Sequence, residues 1–326
     1  MARRTTPPAR PPEMPPERTP GTAQETMSGT AQEHPRVGYL GPEGTFTEEA
    51  LLASAVPEAV VPHPLASIPE TIAALRAGEV RWAVVPIENS LEGSINATLD
   101  LLAGDPGDVK IVGDVLLRVR HSLIAPAVVP LESIETVITH PQVPGQCTRF
   151  LHEELSGARV VPASSTAEAV RTVAAAGRRE QAALGTTLAA RIYGGRVLRE
   201  GVEDRHDNST RFVWLAREGE EAQPPLSDGA PAAWKVSVVF WGPGAERPGW
   251  LVRCLDEFAS RDINLTRIES RPRRRELGSY MFFADLAGRV GEPPVDEAIA
   301  GLTSMCDVVR VLGSYRSAGA GGEQIA

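Results

Sequence analysis

Residues 37–54 read VGYLGPEGTFTEEALLAS. The run Val37–Leu40 has the β-branched and aromatic character of a strand, and a turn with two glycines and a proline follows it. The turn opens into an alanine- and leucine-rich helical stretch at 45–54. Strand, turn and helix in that order make one βα unit. Outward from it the same alternation recurs. Further strands are expected at Ala59–Val61, Trp82–Pro86, Lys110–Val119, Thr136–Thr139, Arg159–Val161, Ala182–Leu184 and Ser209–Leu215. Helices are expected near 66–77, 93–102, 143–155, 166–176 and 186–192. This is an α/β pattern on largely parallel sheets, and it fits two small lobes as well as one sheet. The long run Lys110–Val119 and the late strand Ser209–Leu215 are natural crossovers between lobes.

A second pattern begins after residue 233. Strand Lys235–Trp241, helix Gly249–Ser260, strands Asn264–Ser270 and Tyr280–Leu286, helix Val295–Met305 and strand Asp307–Leu312 give β-α-β-β-α-β, the α+β ferredoxin-like order. Five segments result. Residues 1–35 carry a proline-rich polar tail, which cannot bury enough apolar surface to offset its ordering entropy and is expected to be disordered. Residues 36–217 hold the α/β part, 218–233 an exposed linker rich in acid, Pro, Gly and Ala, 234–316 the second domain, and 317–326 a flexible tail.

The 326-residue chain has a formal net charge of −9, which argues against nucleic acid as a partner because phosphate binding needs a basic face. It has no run of about eighteen apolar residues, so no membrane span is expected. Cys147, Cys254 and Cys306 are three, far apart and without a C-x-x-C pair. They suggest neither a disulfide framework nor a zinc site, and His34, His63, His121, His152 and His206 lack metal-ligand spacing. A reducing cytoplasm is the simplest home for such cysteines, and no metal or cofactor site is suggested by the residues.

In open α/β sheets ligands bind beyond the carboxyl ends of the strands, where helix N-termini present free N–H groups. The turns there are Gly41–Thr47, Pro86–Ser90, Thr139–Gln142 with Gln146, Ser164–Thr166 with Glu168, and Gly185–Thr187. Hydroxyls and amides also serve simply as N-caps. Together, these turns describe an anion-binding cleft with many donors and few strong acids, suited to a small carboxylate. Glu88-Asn89, Gln146 and Asn208-Ser209-Thr210-Arg211-Phe212 exceed what capping requires. Arg211 in particular can fork a carboxylate, which Lys cannot. His140 and Cys147 hint at a Cys–His nucleophile, although buried cysteine is mostly inert packing.

These motifs coincide with those of a known family. The segments GPEGTF (41–46), VVPIENSLEGSI (84–95), THPQVPGQC (139–147), STAEA (165–169), AALGTTLAA (182–190) and NSTRF (208–212), then GWLVRCLDEFASRDINLTRIESRP (249–272) and GSYMFFADLAG (278–288), resemble monofunctional bacterial prephenate dehydratases with a C-terminal ACT regulatory domain. The resemblance spans about 37–315. It implies a two-lobed, periplasmic-binding-protein-like catalytic domain, a cleft between the lobes, and loss of water and carbon dioxide from prephenate to give phenylpyruvate for phenylalanine synthesis. It implies Thr210, Asn89 and Gln146 as catalytic residues. Arg211, Glu88, Ser90, Thr139, Phe212 and Thr45 would bind substrate. It further implies L-phenylalanine as effector, held by Gly249, Asn264, Leu265, Glu269, Ser270, Arg271 and Pro272 where ACT domains self-associate in a dimer or tetramer. Arogenate, with an amino group for the keto group, is the rival substrate, and a non-enzymatic amino-acid sensor is the rival class. One departure is Trp250 where the family commonly has alanine; its indole is expected either to fill part of the effector pocket or to point outward.

Overall fold

The computed structural model describes Met1 and residues 34–104, 106–227, 233–244, 247–273 and 278–317. The expected tail at 2–33, residues 228–232 of the expected linker and the end at 318–326 lie outside the described residues.

The quoted stretch folds as strand β1 (Arg36–Leu40) and helix α1 (Phe46–Ser54), joined by a turn in which the Thr45 side chain caps the helix through the Glu48 N–H. The chain continues through β2 (Val61–Leu65), α2 (Ile68–Ala77), β3 (Trp82–Asn89), the two-residue β4 (Gly93–Ser94), α3 (Asn96–Ala103) and β5 (Val109–Arg118). It crosses into a second sheet with β6 (Ser122–Ala125), β7 (Thr136–Thr139), α4 (Thr148–Glu154), β8 (Arg159–Pro162), α5 (Thr166–Ala176), β9 (Gln181–Gly185), α6 (Thr187–Tyr193) and β10 (Arg196–Arg199). It then returns to the first sheet as β11 (Ser209–Arg217). The first sheet runs β2-β1-β3-β11-β5 and the second β10-β6-β9-β7-β8. The chain passes between the sheets at β5–β6 and β10–β11, so both expected crossovers are found.

Three strands were not expected: β4, β6 and β10. Ser122–Ala125 is only four residues, and Arg196–Arg199 sets two adjacent aliphatics between two arginines on a half-exposed edge, so neither shows a strong period. The helix expected at 143–155 is broken. A tight 3₁₀ turn at Pro144–Gln146 precedes α4, because Pro144 lacks the N–H that a continuous helix interior needs.

The C-terminal segment forms a third sheet from β12 (Ala233–Trp241), α7 (Trp250–Ala259), β13 (Leu265–Pro272), β14 (Tyr280–Ala287), α8 (Pro293–Met305) and β15 (Val308–Ser317), with strand order β13-β14-β12-β15. One face packs on its own helices, where Val236, Val238 and Phe240 meet Trp250, Cys254, Phe258 and Leu302. The Trp250 indole lies in that core, donating to the Met305 carbonyl at 3.2 Å and stacking obliquely near Phe240 and Phe282. The structure removes the outward-pointing alternative: an amphipathic helix buries its first apolar residue, and the indole goes inward.

The other face packs on the first sheet. Val239, Met281, Phe283, Leu312 and Tyr315 share one core with Val85, Ile87, Val213 and Leu215. Gly313 permits this contact, since a Cβ there would stand 2.1 Å from the Ile111 carbonyl oxygen. The described part of the expected linker is also tied down. Ala222 accepts from the Trp82 indole, and Leu226 packs on the core of β1 and α1. Among the described residues no helix is long and apolar enough to cross a membrane.

Candidate active site

A cleft of about 440 Å³ opens between the first two sheets. Its lining comes from the ends of strands and the starts of helices on both sides: Thr45 and Phe46 from the first βα turn, Asn89 and Glu92 from the β3–β4 hairpin, Gln142 and Gln146 before α4, Ser164–Thr166 at the start of α5, and Thr210 and Phe212 on β11. Gly44 brings the first βα turn against the start of α6. With φ +83 it turns so tightly that a Cβ would lie 2.8 Å from the Ala189 backbone of the opposite lobe, and its carbonyl accepts from the Thr186 hydroxyl at 2.7 Å.

The centre of the site is a cross-strand pair. β3 and β11 run antiparallel with Asn89 opposite Thr210. Asn89 Nδ2 donates to Thr210 Oγ1 at 2.9 Å and to Asn208 Oδ1 at 2.9 Å. Asn89 Oδ1 is occupied by the backbone N–H groups of Leu91 and Glu92, both at 2.9 Å, so the amide can face Thr210 only with its nitrogen. Thr210 Oγ1 therefore accepts from Asn89, and its own proton is left for an acceptor in the cleft. A register shift between Arg211 and Phe212 places Pro86 opposite Phe212, skipping Ile87. Pro86 and Asn89 are three apart and both line the cleft; a regular strand of period two cannot do that, and the bulge can.

Gln146 comes from the other side. Its Oε1 accepts from Asn208 Nδ2 at 3.2 Å and lies 3.0 Å from His121 Nε2. His121 is buried, edge-on to Phe46, and burial lowers its pKa below the ordinary 6.5, only partly offset by Gln146. The imidazole is thus neutral near pH 7 and donates to Gln146. Glu92 receives Gln142 Nε2 at 3.3 Å and Gln146 Nε2 at 3.5 Å. Among the described residues lining the cleft there is no Lys or Arg. Anionic groups would be held by neutral donors and the amide-rich start of α5, where Ser165 caps the helix through the Glu168 N–H at 3.0 Å.

Thr210, Asn89, Gln146, Thr45 and Phe212 thus come together, as expected of a site. Four other candidates are placed elsewhere. Arg211, expected to fork a substrate carboxylate, leaves β11 on the face opposite Thr210 and reaches Asp114, Asp285 and Tyr315 instead. Glu88 leaves β3 on that same face, within 3.5 Å of Arg267. The reason is the pleat: neighbours along a strand point to opposite faces. Thr139 is fully buried and donates to the Leu184 carbonyl at 2.9 Å. Ser90 sits behind the wall, accepting from the Ser209 N–H at 3.0 Å. The Cys–His nucleophile has no geometric support. Cys147 is fully buried, and burial together with Glu203 and Asp204 pushes its thiol up to about 12.

Sequence reasoning missed His121 and Glu92. His121 carried no signal beyond its type, whereas Glu92 stood within the quoted motif 84–95.

The effector candidates divide as well. Glu269 Oε2 accepts from Ser94 Oγ at 3.0 Å, and Arg271 forks Asp100 at 2.9 Å, both toward the α/β part. Ser270 and Pro272 alternate to the exposed side of β13. Gly249 opens α7 at φ 76, the Asn264 carbonyl takes the Ala287 N–H, and Leu265 packs on the helix-side core.

A two-walled α/β cleft built around one aimed hydroxyl, with uncharged donors on both sides, is the equipment of an enzyme that handles a small anionic substrate. A model of the prephenate dehydratase family matches residues 37–220. A prephenate dehydratase of Mycobacterium sp. (strain JLS) is 43% identical over 301 residues, covering 88% of this chain and 91% of that one. Among solved structures, prephenate dehydratase from Arthrobacter aurescens in complex with L-Phe superposes with a TM-score of 0.77 at 36% identity, covering 89% of this chain and 93% of that one. GqqA, described as a novel type of quorum quenching acylase, superposes with a TM-score of 0.73 at 27% identity, covering 86% and 98%. The chain belongs to the prephenate dehydratase family and is an enzyme of that activity.

Proposed function

We propose that the cleft converts prephenate to phenylpyruvate for phenylalanine biosynthesis, expelling carbon dioxide and water in one decarboxylating dehydration. The observation that carries this reading is the Asn89–Thr210 hydrogen bond with Asn89 Oδ1 already occupied. It leaves Thr210 as a donor toward the cleft, where the departing ring hydroxyl needs one. Carbon–carboxylate cleavage supplies the electron pair that aromatises the ring as the hydroxyl leaves, so the protein's part is to hold the dicarboxylate and stabilise the leaving oxygen. One such aimed donor contributes about 3 to 4 kcal/mol, or 10² to 10³ in rate. Asn89 aims the Thr210 hydroxyl and Gln146 orients the substrate, with Asn208 and His121 behind them; Thr45 and Phe212 shape the wall.

Residues 234–316 would be a ferredoxin-like ACT regulatory domain that binds phenylalanine and pairs with a second copy, making a dimer or tetramer of a cytoplasmic, monofunctional enzyme. The β-α-β-β-α-β order of this segment supports it, as does the Arthrobacter relative solved with L-Phe. The test is phenylpyruvate release from prephenate by the purified chain, with and without phenylalanine. Release that phenylalanine suppresses is expected. Absence of release from prephenate, with release from arogenate, would replace the substrate.

A further inference from the structure

Next to the Asn89–Thr210 pair on β3 and β11 stands the Glu88–Arg211 pair, on the opposite face of the sheet. Arg211 is held there from three directions. Nε donates to Asp114 Oδ2 at 2.8 Å, Nη1 to Asp285 Oδ2 at 2.6 Å and Nη2 to Tyr315 Oη at 2.6 Å. Asp114 lies on β5 of the same sheet, but Asp285 and Tyr315 lie on β14 and β15 of the C-terminal sheet. Ser237 on β12 closes the ring, donating to Asp285 Oδ1 at 2.5 Å and lying 2.8 Å from Tyr315 Oη. The side chains of Arg211, Asp114 and Asp285 are 10%, 3% and 4% exposed, so water screens little of this.

A guanidinium with every edge committed has one orientation, and a lysine ammonium could not reproduce it. The Arg211 backbone is bonded directly to Thr210. The tip of its side chain is therefore fixed by the C-terminal sheet, while one residue back the chain carries the hydroxyl aimed at the cleft. A catalytic donor has to be held to within about 0.5 Å of its productive place. We propose that Arg211 is a positioning residue for Thr210, and that Asp285 and Tyr315 make the placement of that hydroxyl depend on the C-terminal sheet. The proposal rests on Thr210 acting in the dehydration.

The test uses the full chain and prephenate. Tyr315→Phe deletes one hydroxyl from the ring, and Asp285→Asn deletes a charge while keeping the shape. Neither residue lines the cleft. Each is expected to lower kcat about tenfold, less than the ~100-fold that a misplacement of about 1 Å costs, with KM for prephenate changed less than about twofold. Arg211→Lys should behave alike, and it carries the test if Tyr315→Phe does not fold. Combined with Thr210→Ala, each variant should lose nothing beyond what Thr210→Ala loses alone, because the whole effect passes through that hydroxyl. A lowered Tm with unchanged kcat would make the cluster merely structural and overturn the proposal. So would additive losses on top of Thr210→Ala. A raised KM with intact kcat would also overturn it and return Arg211 to the substrate. Full activity in Thr210→Ala itself is a different failure, that of the proposed function.

Discussion

The two faces of the β3–β11 ribbon solve opposite problems with adjacent residues. On the cleft face Asn89 and Thr210 are uncharged, joined by one hydrogen bond, and surrounded by amides that can be redirected to a substrate. On the opposite face Glu88 and Arg211 enter an ionic cluster with Asp114, Asp285 and Lys235, which pairs with Asp114 at 3.6 Å. A site that must bind and release keeps neutral donors, which cost little to hydrate between turnovers. An interface that must not slip is served by buried charges, because displacing one leaves its partner uncompensated. Burial opposes ionisation of Asp285, yet Arg211 and the Ser237 hydroxyl outweigh it and hold the carboxyl below its ordinary value of 3.8.

If the contrast is right, removing the charged face should cost stability together with the smaller loss of rate passed on to Thr210, and removing the neutral face should cost rate alone. Arg211→Ala removes the guanidinium that neutralises Asp285 and shares Asp114 with Lys235, and should lose about 3 to 5 kcal/mol in denaturant unfolding. A loss within the range of a surface change would erase the distinction between the faces. Thr210→Ala should fold with nearly unchanged Tm and drop kcat by roughly 100- to 1000-fold, the value of one aimed donor of about 3 to 4 kcal/mol. A large fall in Tm would show that the cleft face is structural after all. Asn89→Ala leaves the hydroxyl present but unaimed, so its loss in kcat should be smaller, about ten- to a hundredfold. Equality with Thr210→Ala would mean that aim is everything.

Acid gives the smallest effect and separates the faces by pH. Unfolded His121 takes up a proton near its ordinary 6.5, whereas the folded imidazole resists it because burial lowers its pKa. Below about 6.5 the unfolded state therefore binds more protons, and stability falls as pH drops. Asp285 acts with the same sign in a lower window, because its folded pKa also lies below the ordinary value. Its stabilisation is present above 3.8 and is lost only as pH falls through its lower folded value. Unfolding between pH 7 and 5 should show a shallow decline that His121→Gln abolishes and Asp285→Asn leaves in place.

Most strands and helices of the α/β part, the crossovers and the C-terminal β-α-β-β-α-β run were legible in the sequence, because β-branched runs between glycine turns and alanine-rich stretches carry their period in neighbouring residues. So were Asn89, Gln146 and Thr210, which stand where turns and strand ends face a cleft. The short edge strands Ser122–Ala125 and Arg196–Arg199 were not, since four residues with mixed polarity show no period. Arg211 and Glu88 were assigned to the substrate although the alternation that puts Thr210 and Phe212 in the cleft turns Arg211 away. The sequence contained that answer once the strand was granted, but not what lies on the far side.

The amino-acid sequence by itself determined the α/β units, the C-terminal element order and the family motifs that mark the cleft, because those depend on spacing along the chain. Only the tertiary structure decided that Arg211 meets Asp285 and Tyr315, that Trp250 turns inward, and that a bulge brings Pro86 and Asn89 to one face. Each of these depends on which surfaces meet across tens of residues of chain or more, such as Trp250 with Met305 at a separation of 55, Arg211 with Asp285 at 74 and Arg211 with Tyr315 at 104. Local propensity does not encode that proximity. Packing selects it, because burial removes water from charges and leaves them only one another as partners.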